Sequence, residues 1–232
     1  MDRANEYNVD GSLLGLGSDI LLDIMSEMEL PQDVRQFLAL CQKIYKLKDH
    51  PRFEKIIQSI VQITPVFIIM EASQGCVEKN KFIHTGENEC CTIAIEPAIS
   101  EGIVRIDLIF ENTSYSCILG VADASYYFAA GRHPIYDGNH LSKYVKRNQQ
   151  YADGQRISIE VDMATVPRRA TFFVDDVEQP NYIIGIPSEI RFWAYTIYSS
   201  SSFTVTKFKR LIKSSTKGVA GSKALEWGKK WK

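Results

Sequence analysis

The spacing of apolar residues changes near Thr64-Pro65, and this change divides the chain into two regions. Before it, apolar residues recur every three or four positions, as they do on one face of an α-helix. Ser18 can cap a first helix, Pro31 opens a second and Pro51 opens a third. Their apolar faces are Ile20, Leu21, Ile24 and Met28, then Val34, Phe37, Leu38, Cys41, Ile44 and Tyr45, and then Phe53, Ile56, Ile57, Ile60 and Val61. The pattern predicts a small unit of three short helices.

After Pro65 the apolar residues alternate with polar ones or form short runs between Gly, Asn, Asp and Ser clusters. Such runs are typical of the short strands of an antiparallel β-sandwich. The predicted strands are PVFIIME, KFIHTG, CCTIAIEP, GIVRIDLIFE, YSCILGVAD, QRISIEVDM, ATFFVDD, IRFWAYTIY and SFTVTKFKRL. In GIVRIDLIFE the apolar Ile106, Leu108 and Phe110 alternate with the polar Arg105, Asp107 and Glu111. We therefore expect this strand to have one face against the core and the other in water.

These patterns divide the chain into four segments. Residues 1–11 are polar and are expected to be disordered, residues 12–63 form the helical unit, and residues 64–212 form the sandwich. Residues 213–232 contain six lysines and one glutamate, and we expect a flexible basic tail. Its last part, KALEWGKKWK, could form one or two helical turns with Trp227 and Trp231 on the same face.

Composition excludes several classes of protein. The net charge of −1 gives no general attraction to nucleic acid or to anionic membranes. The longest apolar run, Pro65–Met70, is too short to span a bilayer. The five cysteines show no C-x-x-C pair, which favours reduced thiols in a cytoplasmic or nuclear protein.

Residues 64–212 resemble a SPRY (B30.2-like) domain. NKFIHTGENECCTIAIEPAISEGIVRIDLIFE is similar to the opening of that family, and ILGVADAS is similar to its I-G-V-A element. YADGQRISIEVDM, ATFFVDDVEQP and IRFWAYTIYSSSSFTVTKF then follow in the family's order, with Asp175-Asp176 in place of its usual Asn-Gly turn. The resemblance implies a concanavalin-like antiparallel sandwich whose loops bind a protein or peptide.

The helical region resembles an F-box, a motif that binds a Skp-type adaptor of cullin ubiquitin ligases. LGSDILLDIMSEMELPQDVRQFLALCQKIYKL carries its apolar positions, with Gly17 where proline is usual and Tyr45 where tryptophan is usual. The resemblance implies that an apolar face contacts the adaptor through Leu16, Ile20, Ile24 and Val34. The alternative is that the helices only pack on the sandwich and have no role in ubiquitin transfer.

The acidic residues do not indicate an enzyme. Glycosidases with a sandwich fold need two carboxylates about 5 Å apart on a concave face. Asp107 and Glu111 share a strand face, as do Glu160 and Asp162, but no strand carries a tight acidic triplet. We interpret these acids as residues of solvated strand faces and predict no catalytic residues.

The long segment 128–154 contains His133, Asp137 and His140, a set that could bind a metal. A solvated loop is the better interpretation, because three such residues in a flexible, glycine-containing loop more often face water than bind a metal. We expect no metal and no cofactor.

The SPRY-like loops carry the residues that we expect to bind a protein or peptide. Aromatic and arginine side chains at such a rim bury a large area at a modest cost in entropy. The expected contact residues are Tyr126, Tyr127, Arg132, Tyr136, Arg168, Tyr198 and Ser200. The sequence thus predicts a non-enzymatic interaction protein that resembles an F-box/SPRY substrate receptor of a cullin-type ubiquitin ligase, or else a stand-alone SPRY binding module.

Overall fold

The computed structural model describes residues 13–114, 116–126 and 148–229, with only the backbone of Leu14. The expected binding residues Tyr127, Arg132 and Tyr136 lie outside the described residues, as do the three possible metal ligands of the long segment, Trp231 and the predicted disordered N-terminus. The chain divides into two compact units, Met1–Ile63 and Thr64–Lys232. No helix among the described residues has the length and apolar character needed to span a bilayer.

The first unit is helical. Its elements are 3₁₀ turns at Leu13–Gly15 and Lys46–Asp49 and the helices α1 (Ser18–Ser26), α2 (Pro31–Ala39), α3 (Gln42–Tyr45) and α4 (Phe53–Val61). The predicted second helix is therefore two helices, because Cys41 has an extended backbone (φ −165°, ψ 167°) that interrupts the helical hydrogen bonds. Both pieces still contribute to one core, which contains Leu21, Leu22, Met25, Val34, Phe37, Ile44, Leu47, Ile56 and Ile60.

The second unit consists of strands. They are β1 (Val66–Ile68), β2 (Gly75–Glu78), β3 (Lys81–His84), β4 (Cys91–Ile99), β5 (Ile103–Glu111), β6 (Ile118–Asp123), β7 (Arg156–Asp162), β8 (Arg169–Val174), β9 (Val177–Glu178), β10 (Asn181–Ile184), β11 (Ile190–Thr196), β12 (Ser202–Leu211) and β13 (Lys223–Glu226). Four of these, β2, β9, β10 and β13, are absent from the sequence prediction. They are short, and β2 and β13 are largely exposed, so they carry little apolar alternation.

The strands form two sheets. The small sheet has the order β1-β4-β11-β6, and the large sheet has the order β13-β10-β8-β7-β5-β12-β3-β2, with β9 paired to β8. Among the described residues, every strand pairing is antiparallel except that of β10 with β13. The predicted fold class, a mainly β sandwich with a small helical unit, is confirmed.

Aromatic rings fill the space between the two sheets. Phe67 of the small sheet lies 5.5 Å, centroid to centroid, from Phe203 of the large sheet, and Phe192 lies 5.7 Å from Phe208. Both pairs meet edge to face, the arrangement that the ring quadrupole favours. This layer joins the two sheets into one body.

Part of the outer face of the large sheet is buried, contrary to the sequence prediction, although Glu111 at the end of β5 is exposed as expected. Arg105 is 8% exposed, Asp107 1% and Glu160 2%. The cover comes from the C-terminal strap, residues 212–229, which leaves β12, crosses this face and adds β13 beside β10. The strap differs in this respect from the expected flexible tail, because the buried Glu160, the half-buried Glu178 and the edge of β10 bind its backbone.

The Arg105 guanidinium is the centre of this covered polar face. Its Nε donates to Asp107 Oδ1 (2.8 Å), and Nη2 donates to Asp176 Oδ1 (2.6 Å) and to Ser158 Oγ (3.1 Å). Nη1 donates to Ser215 Oγ of the strap (3.3 Å). Buried ions are tolerated when their partners satisfy them in this way.

We expect Arg105→Ala to lower the free energy of unfolding of the β unit by about 3 kcal/mol, because it leaves the buried Asp107 carboxylate without its nearest cation. Lys207 Nζ, 3.7 Å from the second carboxylate oxygen, compensates in part. Tryptophan fluorescence during urea unfolding reports this unit alone, since all three tryptophans follow residue 64. The exposed Lys213→Ala serves as the control, and equal stabilities of the two variants would contradict the prediction.

Candidate functional site

The loops of the sandwich lie at two opposite ends, and the strand register shows which loop belongs to which end. Ile190, the first residue of β11, pairs with Asp123 at the end of β6 and with Ile99 at the end of β4. The loop that follows β11 must therefore lie at the other end. The expected binding residues do not form one rim, because Tyr126 and Arg168 lie at the first end and Tyr198 and Ser200 at the second.

Tyr126 and Arg168 are both half-buried. Tyr126 packs against an apolar cluster on the outer face of the small sheet that includes the buried Trp193 and Tyr195. The Arg168 carbonyl accepts a hydrogen bond from the Gly185 N–H (2.7 Å). These residues contribute more to packing and chain geometry than to an open surface.

The second end carries an exposed aromatic loop, which we call the Tyr198 loop (residues 197–201). Tyr198 is 36% exposed, and Ser199 and Ser200 beside it are also exposed. Ser200 has a positive φ of 66°, an uncommon conformation for a residue other than glycine, so the surrounding hydrogen bonds must hold it.

Those hydrogen bonds come from parts of the chain about a hundred residues earlier. The Ser200 N–H donates to the His84 carbonyl (2.8 Å), and His84 Nδ1 donates to the Tyr198 carbonyl (3.1 Å). The Ser199 N–H donates to Asn88 Oδ1 (3.0 Å), and Asn112 Nδ2 donates to the Ser200 carbonyl (3.4 Å). The loop is thus anchored on both sides, while Tyr198 remains partly exposed to solvent. Sequence reasoning missed these anchors, since no local pattern marks them.

His84 is the buried residue beneath this loop, at 2% exposure. Burial lowers its pKa below the ordinary value, and the hydrogen bond to the Tyr198 carbonyl and the nearby Glu89 carboxylate oppose this only in part. The neutral ring, with its proton on Nδ1, is therefore the form that supports the loop near neutral pH.

We expect the β unit to lose stability as the pH falls from 7.5 to 5.5. The unfolded chain takes up a proton on His84 near its ordinary pKa of about 6.5, whereas the folded chain resists protonation to lower pH. Urea unfolding followed by tryptophan fluorescence measures this slope. His84→Gln should have a shallower slope over the same range, and identical slopes would refute the assignment.

The four expected adaptor contacts differ in their exposure: two are exposed, and two lie in or against the core of the helical unit. Ile20 and Ile24 lie one turn apart on α1 and are 50% and 36% exposed. Val34 is 2% exposed and belongs to the core of the unit, and Leu16 packs partly against that core. The expectation for Val34 is thus corrected, and the exposed pair on α1 remains available to a partner.

A small cleft lies between β6 and the β7–β8 hairpin. Its lining is mostly apolar and includes Leu119, Tyr151, Ile157, Ile159 and Phe172. Polar groups at its rim bond each other: Gln179 Oε1 accepts from the Gln149 N–H (2.7 Å). Within the described residues, moreover, no three His, Cys, Asp or Glu side chains come together as metal ligands.

No protein-family model matches the chain, and no curated protein matches it in sequence. Among solved structures, the SPRY domain of human HERC1 is similar, with 13% identity and a TM-score of 0.41 over 63% of this chain and 94% of that chain. The PSpry domain of TRIM65 has 11% identity and a TM-score of 0.44 over 62% of this chain and 92% of that chain. The chain is similar to SPRY domains. At these identities and TM-scores, the similarity assigns no activity, partner or binding residue.

Proposed function

We propose that this chain is a non-enzymatic protein-interaction module and that the Tyr198 loop binds a protein or peptide. The observation that carries the proposal is a rigidly held loop with an exposed tyrosine at its tip. Because the loop is already ordered, binding costs little further conformational entropy. Tyrosine adds a large contact area together with a hydroxyl that can donate or accept a hydrogen bond.

To test this proposal, peptides are selected from a random display library on the immobilised full chain. We expect Tyr198→Ala to lower the affinity for the selected peptides by about tenfold or more, as loss of an anchor residue does. Val166→Ala is the matched control, because Val166 is 98% exposed and lies at the opposite end of the sandwich. Its affinity should equal that of the unchanged chain.

The melting temperature of each variant must match that of the unchanged chain, so that a loss of binding reports the surface alone. Peptides that bind Tyr198→Ala as tightly as the unchanged chain would place the site elsewhere. Failure to enrich any peptide over a blank surface would also count against the proposal.

We further propose that the helical unit is the adaptor-binding part of a cullin-type ubiquitin ligase receptor, as its F-box resemblance implies. The specific support is the exposed Ile20 and Ile24, which lie one turn apart on α1. An apolar pair on a helix face is suited to burial against a partner. The five free cysteines fit the reducing cytoplasm or nucleus, where such ligases act.

Purified Skp-type adaptor tests this role. We expect Ile20→Asp and Ile24→Asp each to abolish co-purification, because a carboxylate would be buried at the interface. Leu40→Asp provides the control, since Leu40 is 62% exposed but lies beyond the end of α2. It should still bind.

Without the adaptor, none of these variants should change the melting temperature by more than about 2 °C, because the substituted side chains are exposed. A lowered melting temperature for Ile24→Asp alone would instead indicate that the helix face packs within the chain. If the unchanged chain fails to bind the adaptor, the alternative holds, namely a stand-alone binding module.

A further inference from the structure

The C-terminal strap carries three consecutive hydroxyl residues, Ser214, Ser215 and Thr216, between Lys213 and Lys217. Lys209 and Arg210 precede them at the end of β12. This is the basic segment singled out in the sequence, and its lysines are not part of either proposed binding surface. These hydroxyl residues lie where the strap crosses the sheet.

Two carboxylates hold the strap at this crossing. Glu160 accepts from Ser214 Oγ (2.6 Å), from the Ser215 N–H (3.1 Å to Oε1) and from Ser215 Oγ. Glu178 accepts from the Lys217 N–H (2.6 Å) and the Gly218 N–H. Glu160 is 2% exposed, so it cannot turn away from the strap into water.

Beyond the crossing, the strap is held mainly through its backbone. β13 has only four residues, pairs in parallel with β10 and leaves three of its four side chains exposed. The Lys223 N–H donates to the Pro180 carbonyl (3.1 Å), and the Trp227 N–H donates to the Ile184 carbonyl (2.9 Å). Segments with few buried apolar contacts open locally far more often than the whole fold does.

We propose that Ser214 is a phosphorylation site and that a phosphate there releases the strap from the sheet. In the reaction, Ser214 Oγ attacks the γ-phosphorus of a nucleoside triphosphate bound to a basophilic protein kinase. The new O–P bond forms as the bond to the β,γ-bridging oxygen breaks, the nucleoside diphosphate leaves, and the hydroxyl proton passes to the kinase's carboxylate base. The kinase acts on the locally opened strap, whose flanking lysines suit an acidic substrate cleft.

The phosphate would change the contact with Glu160 from attraction to repulsion. Ser214 Oγ now donates a hydrogen bond to the carboxylate, whereas a phosphorylated oxygen has no proton to donate. The added group carries about −1.5 to −2 charges next to a carboxylate buried in the sheet face. The strap therefore cannot close over Glu160 in the phosphorylated chain.

Ser214 is distinguished from Ser215 by the cation that Ser215 contacts. Arg105 Nη1 lies 3.3 Å from Ser215 Oγ, so a phosphate on Ser215 would have a guanidinium to pair with. Ser214 Oγ contacts Glu160 Oε1, Thr216 Oγ1 (2.7 Å) and the Thr216 N–H (3.2 Å), and none of these groups is a cation. The charge effect should thus be strongest at Ser214.

Release of the strap would open the edge of β10, which β13 now covers. A free sheet edge presents unpaired N–H and C=O groups to which another extended segment can add. The inference goes beyond the proposed function, since it concerns control of a second surface and does not depend on the Tyr198 loop.

Hydrogen exchange of the full chain gives the first test. We expect Ser214→Glu to speed exchange at the β13 amides by about tenfold or more, whereas Ser214→Ala should change it less. Ser215→Glu should give a smaller increase than Ser214→Glu, because Arg105 partly neutralises it. Ser222→Glu is the matched control, in the same strap but outside the carboxylate contacts, and should exchange like the unchanged chain. Equal rates in the 214, 215 and 222 variants would overturn the proposal.

Treatment of the full chain with magnesium, ATP and a panel of basophilic serine/threonine kinases gives the second test. Mass spectrometry should find phosphate on Ser214, absent from Ser214→Ala, together with the same faster exchange at β13. Phosphate on Ser214 with unchanged exchange would overturn the release mechanism. If Ser214 carries no phosphate in either the full chain or a peptide of residues 207–220, the assignment of Ser214 as a phosphorylation site is wrong.

Discussion

The buried guanidinium of Arg105 joins three parts of the β unit that are distant in sequence. It bonds to Asp107 within β5, to Asp176 in the β8–β9 turn and to Ser215 in the strap, and it stacks over the Phe173 ring at 4.4 Å. A cation removed from water needs all of its donors satisfied, so these partners depend on one another. The ordering of the strap and the burial of the sheet face therefore depend on each other.

The Asp175-Asp176 turn, where the chain departs from the SPRY pattern, is explained by the same cluster. Both residues have positive φ, 49° and 64°, a conformation that favours glycine or asparagine. Hydrogen bonds from the Arg156 N–H and from Gln155 stabilise the Asp175 carboxylate and lower its pKa. Asp176 bonds to both Arg105 and Arg156. A glycine would relieve the backbone conformation but remove a carboxylate from the buried cation, so the ionic contacts compensate for the strained turn.

Local patterns in the sequence predicted the strands with apolar alternation, from β4 to β8 and in β11 and β12, because a two-residue period depends only on neighbouring positions. They did not predict the burial of Glu160, since its cover arrives from residues more than fifty positions later. They also misjudged β13, whose sequence KALE consists of good helix formers. Pairing with the β10 edge overrides that propensity, and no residue near β13 indicates it.

The same limit applies to the candidate site. Tyr198 and Ser200 could be named from their residue types and loop position, but the loop's support comes from His84 and Asn88, more than a hundred residues away in the chain. On α1, the helical spacing indicated an apolar stripe, yet Leu21, Leu22 and Met25 face the core while Ile20 and Ile24 do not. When the apolar stripe of a helix is wider than the core against which it packs, some of its apolar residues remain exposed. Only the packed structure shows which residues those are.

The Tyr198 loop and the strap are attached to the sandwich in different ways. The loop is held by neutral hydrogen bonds to several separate segments, so the loss of one bond leaves the others in place. The strap is held at its crossing by two carboxylates that accept from backbone and hydroxyl groups, so one added negative charge opposes it directly. A surface that must present a constant shape for recognition is suited to the first arrangement. A segment that must sometimes leave the sheet is suited to the second, because its attachment depends on charge rather than on apolar burial.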